Sequence, residues 1–178
     1  GLKANVSVRI NPDIDAHTHK YVTTGLYENK FGISQHEFDK LIDILKKSEH
    51  INFIGLHFHI GSQITRVEEV FGLECKRVND IVAYFERKGL KVNNINLGGG
   101  LGVDYDDPDG NAIADFDGWF KTIDENIERR PDQSIHVEPG RSLVAQCASL
   151  ISRVLFVKSG ETKNFLIIGN VKVTAQLF

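Results

Sequence analysis

Four short stretches of this chain, residues 6–11, 53–59, 94–97 and 135–138, alternate apolar and polar side chains, and a long amphipathic segment separates each from the next. Side chains alternate across a strand, so each stretch divides into two faces. One face is apolar throughout: Val6, Val8 and Ile10; Ile54, Leu56 and Phe58; Ile95 and Leu97; Ile135 and Val137. The other carries Ser7, Arg9 and Asn11; His57 and His59; Asn94 and Asn96; His136 and Glu138. The intervening segments are long enough to return the chain parallel to itself, which is the βα pattern. Parallel sheets are normally covered on both faces, so the polar face needs an explanation. Closing the sheet into a barrel turns it inward, and an interior rich in His, Asn, Arg and Glu demands polar partners, waters or a bound ligand. The polar groups gather at the C-terminal strand ends, where barrel active sites lie.

The first helix is expected over residues 36–47, announced by Ser34 with Glu37 three positions on, a capping box, and burying Phe38, Leu41, Ile42 and Leu45. A second is expected over 66–88, with Val67, Val70, Phe71, Val78, Ile81, Val82 and Phe85 at helical spacing until Gly89. A third follows Asp115, gathers Phe116, Trp119, Phe120, Ile123 and Ile127 on one side, and is closed by Pro131. From residue 142 the texture turns β-rich, over 144–157 and 165–168 with a turn at Ser159 and Gly160. This shift predicts one domain over residues 1–142 and the start of a second, all-β domain over 143–178.

With 41% hydrophobic and 25% charged residues, the chain has the composition of a globular protein, and its net charge of -3 leaves no basic excess for a phosphate backbone. Nucleic acid is therefore not an expected partner. No apolar run reaches the roughly 20 residues that cross a bilayer, and residues 1–7 lack the features of a signal peptide, so no membrane association and a cytoplasmic location are expected. Cys75 and Cys147 are the only cysteines, too far apart for a CxxC site, and both are expected to be reduced, partly buried thiols.

Three motifs carry chemistry. Gly98, Gly99 and Gly100, followed by Leu101 and Gly102, come directly after a strand, where a backbone without Cβ atoms can turn sharply and aim N–H groups at an anion. Val103 stands where GxGxxG needs its last glycine, and no GK[ST] follows, so neither a dinucleotide fingerprint nor a P-loop is supported. His57 and His59 share one face, which admits a metal-dependent hydrolase as an alternative, but no second histidine pair with a suitable Asp is present, and no metal is expected. His59 is nearer the strand end, and Gly61, Ser62 and Gln63 beyond it offer backbone N–H groups and a hydroxyl to a phosphate oxygen. Glu138, Pro139, Gly140 and Arg141 end the last strand with an inward carboxylate and a guanidinium shortly after it, where burial would demand a cationic or hydrogen-bonding partner. Arg9, facing the same interior, reads as a structural ion pair rather than as a site residue.

In this order and spacing, GLHFHIGSQ at 55–63, LGGGLG at 97–102 and EPGR at 138–141 resemble the cofactor-binding signatures of the fold-type III decarboxylases that use pyridoxal 5'-phosphate (PLP). NPDIDAHTH at 11–19, with Thr24-Gly25 and ENKFGI at 28–33, narrows the resemblance to the diaminopimelate decarboxylases. It extends over residues 4 to about 168. What it implies is the C-terminal half of an alanine racemase-like (β/α)8 TIM barrel, followed by the first strands of an all-β domain. His59 would stack on the PLP ring. Ser62, Gly98, Gly99, Gly100, Pro139, Gly140 and Arg141 would surround the phosphate, Arg141 would also approach the substrate carboxylate, and Glu138 would face the ring nitrogen. The implied reaction is decarboxylation of meso-diaminopimelate to L-lysine in a homodimer, the last step of lysine biosynthesis. The lysine that holds PLP covalently in this family lies in a motif of the form Tyr-Ala-x-Lys-Ala-Asn on the first barrel strand. That motif does not occur among these residues, so the chain alone is expected to be inactive; a non-catalytic relative of the same fold is the alternative. Residues 169–178 depart from the family's acidic, glycine-containing continuation.

Overall fold

The computed structural model describes residues 1–14, 31–107, 110, 114–169 and 172–175. Four parallel strands form its centre: β1 (Ala4–Arg9), β2 (Ile51–His57), β3 (Asn94–Asn96) and β4 (Ser134–His136), paired in chain order. Helices α1 (Phe38–Lys47), α2 (Val67–Arg87) and α3 (Phe116–Asn126) occupy the three connections. The strands end earlier than the alternation suggests, because Phe58 and Leu97 already lead into the turns that carry the histidine and glycine motifs.

The apolar face packs against the helices. Ile10, Leu56, Phe58, Ile95 and Leu97 join Phe38, Ile42, Phe71, Val78, Phe85 and Trp119 in one core, with Val8, Ile135 and Val137 packed against it. Each fully buried side chain of this kind contributes on the order of 1.5–3 kcal/mol. Val6 pairs with Phe53 but Ser7 pairs with Gly55, so β2 carries an extra residue at Ile54. This bulge resets the alternation. Phe53, not Ile54, reaches the core, where its ring stacks 6.2 Å from that of Phe85.

The helix ends show the local chemistry. No side-chain cap forms at Ser34; a 3-10 turn, Gln35–Glu37, precedes α1, held by the Glu37 N–H to the Ser34 carbonyl at 2.9 Å, so the expected capping box is replaced by a backbone bond. The end of α2 follows expectation: Gly89, at φ +82°, donates to Glu86 O at 2.8 Å, and Leu90 donates to Phe85 O at 3.1 Å. This left-handed termination satisfies two carbonyls that the helix leaves open. Asp115 caps α3 by accepting the Gly118 N–H at 2.9 Å. Phe120, expected in the core, is half-exposed at the edge of the apolar arc of α3.

Glu74 sits on the buried face of α2, 1% exposed, and neither of its oxygens is hydrogen-bonded among the described residues. Burial pushes its carboxyl well above the usual carboxylate range. The neighbouring Cys75 thiol is buried and pushed up to about 12, by burial first and by Glu74 second, which leaves it inert as a nucleophile. Cys147 is exposed rather than partly buried.

Beyond β4, the one-turn helix α4 (Arg141–Val144) leads into β5 (Ala148–Ile151), β6 (Val154–Ser159), β7 (Asn164–Ile168) and β8 (Lys172–Ala175). The β-rich stretch expected over 144–157 thus holds β5 and most of β6, after the helical turn of α4. β6 and β7 form an antiparallel hairpin, and β5 pairs antiparallel with β8. Leu150, Phe156, Phe165 and Leu166 of these strands are each more than half exposed. Residues 15–30, which hold most of the 11–19 motif, Thr24-Gly25 and the start of 28–33, lie outside the described residues, as do 170, 171 and 176–178 of the atypical tail. No described helix is long and apolar enough to cross a membrane.

Candidate functional site

Strand register sets the first layer of the polar face. Arg9 pairs with His57, His57 with Asn96, and Asn96 with His136, so these four residues stand at one level across the sheet. Two residues further along each chain come His59, Gly98 and Glu138. The Glu138 N–H donates to Gly98 O at 2.6 Å, which binds the end of β4 to the glycine turn.

The glycines act first by allowing close approach. A Cβ at Gly99 would lie 1.8 Å from the Glu138 carbonyl oxygen, while Gly98 and Gly100 abut the carbonyls of Phe58 and Gly61. No side chain fits at 99 without prising the two segments apart. Gly99→Ala is therefore expected to cost roughly 1–3 kcal/mol or more through overpacking. Thermal unfolding of the complete protein checks this, and an unchanged melting temperature would refute it.

Two of the glycine N–H groups are already engaged: Gly98 donates to Asn96 Oδ1 at 2.8 Å and Gly99 donates to His59 Nδ1 at 3.3 Å. The second bond fixes the His59 ring with Nδ1 as acceptor, which places the proton of the neutral imidazole on Nε2. Burial is the main cause that lowers the His59 pKa, followed by the charge of Arg9 and by His57, with Glu138 opposing them. His57 is also lowered, by burial first, with Glu138 opposing and Arg9 assisting. Both rings are thus held neutral.

Glu138 is gripped on one side only. Its Oε1 accepts from Asn96 Nδ2 at 2.8 Å, while Oε2 lies 3.7 Å from His57 Nε2, outside hydrogen-bond range. That buried His57 nitrogen has no hydrogen-bond partner among the described residues. The Glu138 side chain remains 56% exposed on the polar face.

A second group of donors lies beside the first. The Arg141 guanidinium donates to the Ser62 hydroxyl and, at 2.6 Å, to the Tyr105 hydroxyl, and it rests 5.9 Å above the Tyr105 ring. Gly140, at φ +65°, turns the chain from Pro139 into α4 and so aims Arg141. The loop holding Ser62 is tied to the glycine turn by Ile64 N–H to Gly100 O at 2.8 Å. Gln63 strengthens that tie, since its amide bonds to both the N–H and the carbonyl of Val103.

All nine residues singled out from sequence, His59, Ser62, Gly98, Gly99, Gly100, Glu138, Pro139, Gly140 and Arg141, therefore lie in one contiguous region. Two contributors were not foreseen. Tyr105 sits in an acidic loop with no pattern to mark it. Asn96 was placed on the polar face without a role, although its position two residues before the glycines was a usable signal. Arg9 lies over the Phe31 ring at 5.2 Å, where an ion pair was expected. Among the described residues no group of three or more His, Cys, Asp or Glu is arranged to hold a metal. The arrangement offers a carboxylate oxygen, a neutral imidazole, and a guanidinium with two hydroxyls. It suits a flat molecule with a basic nitrogen at one end and an anionic group at the other.

Comparison with known proteins gives a consistent picture. Residues 2–145 match the family described as pyridoxal-dependent decarboxylase, pyridoxal binding domain. Diaminopimelate decarboxylase of Bacteroides thetaiotaomicron is 49% identical over 165 residues, which are 93% of this chain and 42% of that protein. The Pseudomonas aeruginosa diaminopimelate decarboxylase is 40% identical over 168 residues, 94% of this chain and 39% of that protein. Among solved structures, a mutant diaminopimelate decarboxylase from Helicobacter pylori complexed with L-lysine superposes with a TM-score of 0.74 at 35% identity, covering 96% of this chain and 41% of that one. The enzyme from M. jannaschii gives 0.71 at 32% identity, covering 94% and 39%. The chain spans about two fifths of the length of these relatives.

Proposed function

The chain belongs to the pyridoxal-dependent decarboxylases through their pyridoxal-binding domain, and on that premise we propose that it is part of a diaminopimelate decarboxylase, releasing CO2 from meso-diaminopimelate to give L-lysine. One observation carries the reading. The Gly99 N–H bonds to the His59 ring, and the Asn96 amide joins the Gly98 N–H to the Glu138 carboxylate, so imidazole, glycine turn and carboxylate converge on one space.

The residues fit PLP chemically. Its ring nitrogen needs a carboxylate, and Glu138 Oε2 is outside hydrogen-bond range of His57. Its phosphate needs charge-assisted donors, and Arg141 with Ser62 and Tyr105 offers them. Its ring needs a flat neighbour, and His59 is a neutral one whose orientation Gly99 sets. When bound, PLP supplies an electron sink for the pair released as CO2 departs. Glu138 keeps the ring nitrogen in its protonated form by placing negative charge beside it. Arg141 binds the phosphate and approaches the substrate carboxylate. The lysine that holds the cofactor covalently and the remaining barrel strands come from other parts of the protein. In this reading β1–β4 are half of a (β/α)8 barrel, the strands from residue 143 open an all-β domain, and the enzyme acts as a cytoplasmic homodimer.

Titrating the complete protein with PLP tests the proposal. Stoichiometric uptake with a bound-cofactor absorption band is expected, followed by formation of L-lysine and CO2 from meso-diaminopimelate. A protein that takes up no PLP would end it.

A further inference from the structure

On the reading that this site holds PLP, we propose that Asn96 is a positioning residue for the decarboxylation: its amide holds one oxygen of Glu138 so that the other is left for the ring nitrogen. Asn96 is gripped at both ends of its side chain. Nδ2 donates to Glu138 Oε1 at 2.8 Å and Oδ1 accepts the Gly98 N–H at 2.8 Å. The second bond assigns the amide, because a flipped side chain would set its NH2 against an N–H donor and lose both contacts. Its backbone is fixed as well, paired with His57 on one side and His136 on the other, with Phe58 N–H donating to its carbonyl at 2.7 Å.

The Glu138 backbone is held to the Gly98 carbonyl, but its side chain lacks such anchoring. The residue lies past the end of β4, its side chain is 56% exposed, and His57 Nε2 stands 3.7 Å away. Asn96 supplies the side-chain hydrogen bond that restricts it. A carboxylate free to rotate would spend part of its time misdirected, and misplacement of about 1 Å can cost on the order of 10²-fold in rate.

What Glu138 needs from residue 96 is a hydrogen-bond donor, and this separates the proposal from a merely structural role. Asn96→Ala removes the donor at every pH. Asn96→Asp is isosteric and keeps the oxygen that accepts the Gly98 N–H, so the glycine turn is undisturbed. Two carboxyls in contact cannot both ionise readily, so the pair shares a proton, and that proton stands in for the lost N–H until rising pH removes it.

The test uses the complete protein loaded with PLP. It follows kcat and KM for meso-diaminopimelate, and the absorption of bound PLP, from acid to alkaline pH. Asn96→Ala is expected to lower kcat by roughly 10²-fold across the range with KM little changed. Asn96→Asp is expected to approach the unsubstituted protein on the acid side and to fall at least about tenfold at alkaline pH, the loss tracking one shared proton. Its bound-PLP spectrum should gain a pH-dependent component at the same point. Profiles and spectra for Asn96→Asp that superimpose on those of the unsubstituted protein would overturn the role, as would full kcat in Asn96→Ala. Should Asn96→Ala not fold, the aspartate variant alone decides. An unsubstituted protein that binds no PLP defeats the cofactor reading and this proposal together, whereas PLP uptake with indifferent Asn96 variants defeats the positioning role alone.

Discussion

Replacing Glu138 by glutamine in the complete protein should lower kcat by roughly 10²–10³-fold, the range seen when a preorganised electrostatic contact is removed, while changing KM only a few-fold. The substitution is nearly isosteric, and the amide oxygen can still accept from Asn96 Nδ2, now at 2.8 Å from Glu138 Oε1. The Gly98 carbonyl, which holds the backbone of residue 138 at 2.6 Å, is not affected either. On the proposed assignment of PLP to this site, what is lost is the negative charge that faces its ring nitrogen. That charge matters most when electrons flow into the ring, so the loss falls on the transition state more than on substrate binding. Steady-state kinetics with meso-diaminopimelate measure it. An unchanged kcat, or a defect confined to KM, would remove Glu138 from the chemistry.

Replacing Glu74 by methionine should stabilise the protein by about 1–3 kcal/mol at neutral pH, because it removes a buried carboxyl that has no hydrogen-bond partner among the described residues. Methionine matches the volume closely and fills irregular gaps. The gain should depend on pH in a definite direction. Burial raises the folded-state pKa of Glu74 above its ordinary value of 4.5, so the folded protein binds a proton that the unfolded chain has released. The stability tied to that proton is fully present below the unfolded value and is lost as pH rises through the folded one. The advantage of Glu74→Met should therefore widen from mildly acid to alkaline pH. Urea unfolding midpoints of both proteins at the two ends of that range give the answer, and an advantage that is constant with pH would show that Glu74 does not titrate on unfolding.

The faces of the strands were legible because alternation is a local property. Leu56, Phe58, Ile95 and Leu97 went to the core, and His57, Asn96 and Glu138 to the polar side, as the period of two requires. Phe53 and Ile54 were exchanged because a bulge is decided between two strands, and neither sequence alone records the extra residue. The reading of α2 passed over Glu74 on account of its charge, although residue 74 lies four from Val70 and four from Val78 and so shares their buried side. The site motifs were legible as a set because each ends a strand at the same edge of the sheet. The Arg141 contact with Tyr105 was not, since it joins residues 36 apart through loop geometry. The cap at Ser34 failed for a related reason: a 3-10 turn satisfies the same N–H with backbone alone.

The irregularity at Ile54 divides β2 into two lengths whose side-chain phases are set separately. Upstream, Phe53 answers to Phe85 and the helices; downstream, His57 answers to Arg9 and Asn96. Residues 51–53 accordingly take their facing from β1 and the helices, while His57 takes its own from the register downstream of the bulge.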